Sequence, residues 1–345
     1  MLLIVPAAFA QKAEVSVIKG TVTDSQTNEP LVAASVYFTG TTIGTTVRPD
    51  GHYEVFVLKP GNYELVVSMV GYETRKMKYN IEKEREYVCD LRMEPKSLNI
   101  TTIEVEGVDQ TEWKENLNLF LPKFLGTLGN PNECTIEKKE YIDFKWDGDA
   151  LQASTSKPIV IVNEYLGYKV VCEIVKFIYN PTSRYYEYAT NTLFYEMKPK
   201  DEKQKEKWAG HRGSAFFGSP EHFLWALKYG ITEAQGYQLY PLNKDTDWDR
   251  NMPKEIDPNE FKSSGQYMDE PVYSFSGSIK VIYKSLDVSY ITMMQPYFTI
   301  DSNGIADNHL PFICSGYWSK RGLANLLPHD YLPESIKKNF DMVSK

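Results

Sequence analysis

"TTVRPDGHYEVFVLKPGNYELVVSMVGYET", residues 45–74, decides the fold of the N-terminal part of the chain. Three glycines, Gly51, Gly61 and Gly71, mark turns, and apolar residues alternate between them. Tyr63, Leu65 and Val67 point one way while Glu64, Val66 and Ser68 point the other, the period of a half-buried strand. Asp50-Gly51 between two such runs predicts a β-hairpin, because glycine readily takes the positive φ that tight turns need. His52 beside it reads as a solvated turn residue rather than a ligand. Helical periodicity is absent from this stretch.

The same grammar extends in both directions. "SVIKGTVTD" (16–24), "AASVYFTG" (33–40), "GNYELVVSMVGY" (61–72) and "REYVCDLRM" (85–93) complete about seven strands, which predicts a β-sandwich over residues 15–95. "EPKSLNITTIEVEGVDQ" (94–110) carries a linker over 96–110, and residues 111–345 remain for a second domain.

Five segments in order carry a family resemblance: "GTVTD" (20–24), "EPLVAASV" (29–36), "GTTIGTTVRPDGHYEV" (40–55), "PGNYEL" (60–65) and "SMVGYET" (68–74). Together they resemble the carboxypeptidase-like regulatory domain, a transthyretin-like sandwich of exported proteins from Bacteroidetes-type bacteria. The resemblance implies a non-catalytic module of the kind found at the N-terminus of TonB-dependent outer-membrane receptors and of surface proteins. It does not imply a transporter, since the remaining chain is too short for a plug and a 22-stranded barrel.

In the second region, "TEWKENLNLFLPKFLG" (111–126) predicts a helix. Trp113, Leu117, Phe120, Leu121 and Phe124 form one stripe, Thr111 is its cap, and Pro122 should kink or shorten it. Strands then follow to Met197, with a second Asp-Gly hairpin signal at Asp147-Gly148. "KPKDEKQKEKWAGHRG" reads as a charged helix, and "SPEHFLWALKYG" as another, with Ser219 as N-cap, Pro220 at the first position and Gly230 past its end. Further strands and an extended tail close the chain. The fold class is therefore mainly β: a seven-stranded sandwich followed by an α+β domain with antiparallel strands and two or three helices. "NPNECTI" (130–136), "SKPIVIVNEYLGYKV" (156–170), "WAGHRGSAFFGSPEHFLWAL" (208–227) and "YWSKRGLANLLPHDYLP" (317–333) resemble the C-terminal part of Bacteroidetes proteins known by that sandwich, which carries no assigned activity.

Composition narrows the function. A net charge of −8 disfavours a nucleic-acid partner. The opening "MLLIVPAAFAQ" has an apolar run and the A-x-A pattern Ala8-Phe9-Ala10, without a basic start; residues 1–10 read as a signal peptide and predict export to the periplasm or outer-membrane surface. No window is long and apolar enough for a transmembrane helix. Cys89, Cys134, Cys172 and Cys314 lack C-x-x-C spacing; an exported protein could pair them in three ways, and Cys172 reads as a buried free thiol.

Chemistry is not motif-encoded. The five histidines, His52, His211, His222, His309 and His329, make neither H-x-x-E nor H-E-x-x-H, so a zinc peptidase is disfavoured and no metal or cofactor is expected. There is no G-x-S-x-G elbow, and Asp147 and Asp149 flank a turn. One cluster stands out. Trp208, His211 and Arg212 share a helical face, and the next helix opens at Ser219 with His222 three residues in, so Arg212 and this helix start could hold a carboxylate, phosphate or sulfate. The alternative is that Trp208 and Trp225 anchor the two helices on a sheet while Arg212 pairs with an acidic side chain.

The functional expectation is an exported cell-envelope protein with a non-catalytic binding or assembly role, its partner an envelope protein or extracellular polymer, with strand addition at a sandwich edge as one mechanism. Its competitors are an envelope hydrolase acting on glycan or peptide, and an accessory partner of a TonB-dependent receptor. A hydrolase would show a deep cavity of converging carboxylates or histidines; a binding module would show flat aromatic or edge-strand surfaces.

Overall fold

The computed structural model describes residues 15–96, 110–242, 254–264, 271–301, 304–306 and 312–337. The signal-peptide reading of 1–10, nearly all of the 96–110 linker and His309 lie outside these residues. Two units emerge: Met1–Tyr37 with Thr45–Pro95, and Phe38–Gly44 with Lys96–Lys345.

The first unit contains β1 (Ser16–Asp24), β2 (Ser35–Phe38) up to Tyr37, β3 (Gly44–Thr46) from Thr45, β4 (His52–Val57), β5 (Gly61–Ser68), β6 (Arg75–Ile81), β7 (Glu86–Val88) and β8 (Leu91–Met93). One sheet runs β4-β1-β7 with β8 also on β1; the other runs β3-β2-β5-β6. β1 is antiparallel to β4 and parallel to β7 and β8. Alternation does what a period of two requires: Ile18, Tyr53, Val55, Val57, Leu65 and Val67 are all buried. β6 exposes Arg75, Lys76, Lys78 and Asn80 along a sheet edge, and the charged side chains discourage pairing with another chain.

One expectation needs correction. Asp50-Gly51 makes a turn but not a hairpin. Gly51 has φ +81° and donates to the Arg48 carbonyl at 2.9 Å, and Asp50 accepts from the His52 amide at 3.0 Å. Beyond the Arg48–His52 bond, however, Val47 donates to Ala34, and β4 crosses to pair with β1 in the opposite sheet. Pro49 has no N–H with which to extend a ladder. Gly71, φ +87°, does sit in a turn closed by Tyr72 N–H to Met69 O, whereas Gly61 opens β5 in extended backbone.

The second unit contains α1 (Gln110–Phe124), β9 (Cys134–Glu137), β10 (Ile142–Asp147), β11 (Ala150–Thr155), β12 (Ile159–Asn163), β13 (Tyr168–Asn180), β14 (Tyr185–Glu196), α2 (Glu202–Phe216), α3 (Pro220–Lys228), β15 (Tyr237–Leu242), β16 (Lys262–Ser264), β17 (Pro271–Tyr273), β18 (Ser278–Tyr283), β19 (Asp287–Met293), β20 (Phe298–Thr299) and β21 (Phe312–Gly316). A six-stranded antiparallel sheet is organised by β13, which pairs with β12 near its start, with β11 near its end, and with β14 along its other edge. Smaller sheets run β15-β18-β19-β21 and β16-β17-β20. The Asp147-Gly148 signal is a hairpin here, with Asp147 opposite Ala150 and Gly148 at φ +56°.

α1 lays Leu117, Phe120 and Phe124 on the six-stranded sheet, and Phe120 meets Phe177 at 4.7 Å. Each such ring, fully buried, contributes about 1.5–3 kcal/mol. The helix already includes Thr111, and Pro122 ends it two residues later instead of kinking it away from the sheet. This packing forms one core, which also buries Leu323 and Ala324. A second core gathers α3 with β15, β18, β19 and β20 around Phe223, Trp225, Trp318 and Phe298. Leu327 packs against both cores, which brings the 317–331 segment to the seam between them. Among the described residues, no helix is long and apolar enough to cross a membrane.

Candidate functional site

At that seam lies a cavity of about 190 Å³ within the second unit. One wall is the start of α3, with Ser219 and Glu221; another is Tyr188 of β14 and Phe216 of α2; the remainder comes from 317–331, through Trp318, Arg321, Asn325, His329 and Tyr331. The volume is below the roughly 300 Å³ at which sites for drug-sized ligands begin, so it suits one ring or a short polar group.

The backbone around Arg321 is pinned by contacts that only glycine permits. A Cβ on Gly322 would stand 2.4 Å from the Leu125 carbonyl carbon, and one on Gly126 2.5 Å from the Gly322 nitrogen. Gly126 also has φ +79°, in the left-handed region. The paired backbones bond through Thr127 N–H to Lys320 O at 2.8 Å and Ala324 N–H to Leu125 O at 3.1 Å. Asn163 then donates from Nδ2 to the Ala324 carbonyl at 2.9 Å. Arg321 is thereby held at the seam, where its guanidinium donates to the Ala215 and Asn325 carbonyls. With its amide oxygen facing the guanidinium, Asn325 accepts from Nη1 and Nη2 at 3.1 Å each. Burial pulls the Arg321 pKa below its ordinary value; nearby Glu221 opposes that shift.

Trp318 is fixed by its indole N–H donating to the Gly218 carbonyl at 2.7 Å. Tyr331 lies edge-on to Phe216 at 6.3 Å, and burial pushes its hydroxyl up to about 12. His329 is placed through its backbone, whose N–H donates to Gly40 O at 2.7 Å. Gly40, φ +77°, belongs to the Phe38–Gly44 segment of this same unit, and a Cβ there would stand 2.5 Å from the His329 ring. That segment is in turn held on β14 by Gly40 N–H to Thr192 O and Phe194 N–H to Thr41 O.

Four side chains lining the cavity, Tyr188, Glu221, His329 and Tyr331, make no side-chain hydrogen bond within the described structure. Tyr188 and Glu221 lie near enough to Arg321 to act on its charge, in a wall rich in aromatic rings, where charge-assisted bonds to a guest are strong. Glu221 is the single carboxylate among the described lining residues. No group of three His, Cys, Asp or Glu side chains suited to a metal ion occurs among the described residues. The site thus differs from both sequence expectations: it is concave, yet without converging carboxylates.

Of the residues singled out from the sequence, Ser219 lines this cavity, and Trp208, His211, Arg212 and His222 do not. Trp208 packs on Gly167 and donates to the Glu164 carbonyl at 2.8 Å. His211 stacks on Tyr165 at 3.8 Å. Arg212 spans the turn between β12 and β13, donating to Leu166 O at 2.7 Å and Gly167 O at 3.1 Å. It also pairs with Glu196 at 3.2 Å and lies 3.9 Å over the Tyr168 ring. Ser219 caps α3 by accepting from the His222 amide at 3.0 Å. His222 is fully buried: Gly218 N–H donates to Nδ1 at 3.1 Å, which makes Nε2 the protonated nitrogen, facing Gln235 Oε1 at 3.0 Å. Burial pulls its pKa down to about 4. The four cysteines are free thiols.

The lining residues Glu221, Arg321, His329 and Tyr331 carry no spacing motif. The signal in the sequence is the density of Trp, Tyr, His and Arg within residues 317–331, a stretch whose flanks look like strand and tail.

Residues 18–105 match the family model of the CarboxypepD_reg-like domain. The sandwich belongs to this family. The match covers about a quarter of the chain and ends well before the cavity. Curated proteins give no match. Similar solved structures include a type II cohesin–X-dockerin complex from Acetivibrio cellulolyticus, at 21% identity and TM-score 0.19. That alignment covers 22% of this chain and 52% of the other, about half its length. A DUF3823 family protein from Parabacteroides merdae aligns at 14% identity, 54% and 82% coverage and TM-score 0.20. A protein from Bacteroides uniformis, provisionally described as carbohydrate-binding, aligns at 11% identity, 53% and 99% coverage and TM-score 0.20. TM-scores this low establish neither a shared fold nor a shared function.

Proposed function

We propose that this protein is exported to the cell envelope and acts there by binding, with the second unit's cavity holding a small polar group of an envelope protein or extracellular polymer. The observation that carries this reading is a concave, aromatic-walled space in which Tyr188, Glu221 and Arg321 lie together, the Tyr188 hydroxyl and the Glu221 carboxylate making no hydrogen bond among the described residues. The sandwich supports the envelope setting through its family, whose modules accompany exported proteins. A hydrolase draws on Glu221, but glycoside hydrolysis ordinarily needs a second carboxylate about 5–9.5 Å away, and the described lining supplies one.

Sedimentation of the full chain with envelope polysaccharide and protein fractions tests the proposal. One fraction should retain the wild type and release Arg321→Lys and Glu221→Gln. Retention by no fraction, or steady release of soluble fragments from the bound polymer, contradicts non-catalytic binding.

A further inference from the structure

The donors and acceptors in the cavity narrow the ligand class, an inference that rests on the binding reading above. Glu221 accepts only, Arg321 donates only, and the hydroxyls of Tyr188 and Tyr331 do both. A free carboxylate or phosphate guest would satisfy Arg321 but be repelled by Glu221 in a partly desolvated space. An ammonium guest would satisfy Glu221 and be repelled by Arg321. Hydroxyl groups escape this conflict, because each one donates to the carboxylate and accepts from the guanidinium. The walls add a second requirement. Trp318, Phe216 and the two tyrosines present apolar rings, so a guest needs C–H faces as well as hydroxyl edges. We infer that the cavity binds a single neutral sugar ring, with Glu221 and Arg321 holding its hydroxyls and the aromatic walls covering its C–H face.

The cavity volume of about 190 Å³ fits one ring and not a chain. The Glu221 carboxylate suits adjacent hydroxyls, since it offers two parallel accepting positions, while Arg321, whose Nη1 and Nη2 already reach Asn325 and Ala215, keeps its Nε–H and one Nη1 proton for a guest. Binding of one ring is weak by nature, as a small guest gains little above the cost of its lost translational freedom.

Calorimetric titration of the full chain with single probes is the test: glucose, galactose, mannose, N-acetylglucosamine, glucuronate, succinate and leucine. At least one neutral sugar should bind, more tightly than glucuronate, and Glu221→Gln should weaken it about tenfold while retaining the fold by circular dichroism. Arg321→Lys, which keeps the charge but not the fork, should weaken it similarly. Binding of glucuronate, succinate or leucine in preference to every neutral sugar overturns the sugar assignment and leaves the binding reading standing. Neutral-sugar binding indifferent to both substitutions overturns the placement. Binding of no probe overturns the sugar assignment, and the sedimentation experiment then decides the wider reading on its own.

Discussion

Acid should destabilise the second unit through His222, by an amount the structure sets. The ring is buried and neutral, its Nδ1 committed to the Gly218 N–H and its Nε2–H to Gln235. Protonation would place a second N–H against the Gly218 donor. Burial, which penalises the charged ring, holds the folded pKa at about 4, against the 6.5 of a solvated ring. A depressed histidine pKa means that the unfolded chain binds the extra proton first. Above pH 6.5 both states are neutral and stability is flat. From 6.5 down to about 4 the unfolded state binds one more proton, and stability falls by about 1.4 kcal/mol per pH unit. The full loss is about 3 kcal/mol, much of the roughly 5–15 kcal/mol that holds a domain together. The measurement is urea unfolding from pH 7.5 to 5.0, followed by tryptophan fluorescence; all six tryptophans lie beyond residue 110, so the signal reports the second unit. Wild type should lose about 2 kcal/mol between pH 6.5 and 5.0. His222→Asn should be less stable at pH 7.5 but lose under about 0.5 kcal/mol over the same interval. Equal slopes in the two proteins would refute the reasoning, whatever their absolute stabilities.

Gly322→Ala should destabilise the second unit by about 1–3 kcal/mol in thermal or urea unfolding, because its Cβ would collide with the Leu125 backbone. Arg212→Ala strands the Leu166 carbonyl, Gly167 O keeping its bond from the Met197 amide, and should cost about 1–3 kcal/mol, again read by urea unfolding, while leaving ligand affinity at the cavity unchanged. A loss of phosphate or sulfate binding in that variant would favour the anion site instead. Native protein should react slowly with a thiol reagent at pH 8 and release four equivalents when unfolded, since burial raises Cys134 to about 11 and Cys314 to about 12 and all four thiols are free.

The sandwich was legible because its information is local. Alternation at Tyr63, Leu65 and Val67 and the turn at Gly71 depend on residues within a few positions. Ser219 and Pro220 announced α3 for the same reason. The misread hairpin at Asp50-Gly51 shows where local grammar stops: the turn forms, but which strand β4 pairs with is chosen by β1, far away in sequence. The cavity is non-local throughout. Arg321 faces it because Gly126 and Gly322 bring two distant backbones into contact, and His329 because Gly40 leaves room for its ring. Arg212 and Arg321 look alike in sequence, and both donate to backbone carbonyls; only the fold seats one on the turn before β13 and the other in the cavity wall.

Hydrogen exchange of the full chain with and without a retained envelope polymer tests the central claim most directly. Binding in the cavity predicts new protection at Ser219–Phe223 and Arg321–Tyr331, with β4 unchanged. Protection confined to the edge strand β4 of the sandwich, with both cavity walls exchanging as before, would contradict it.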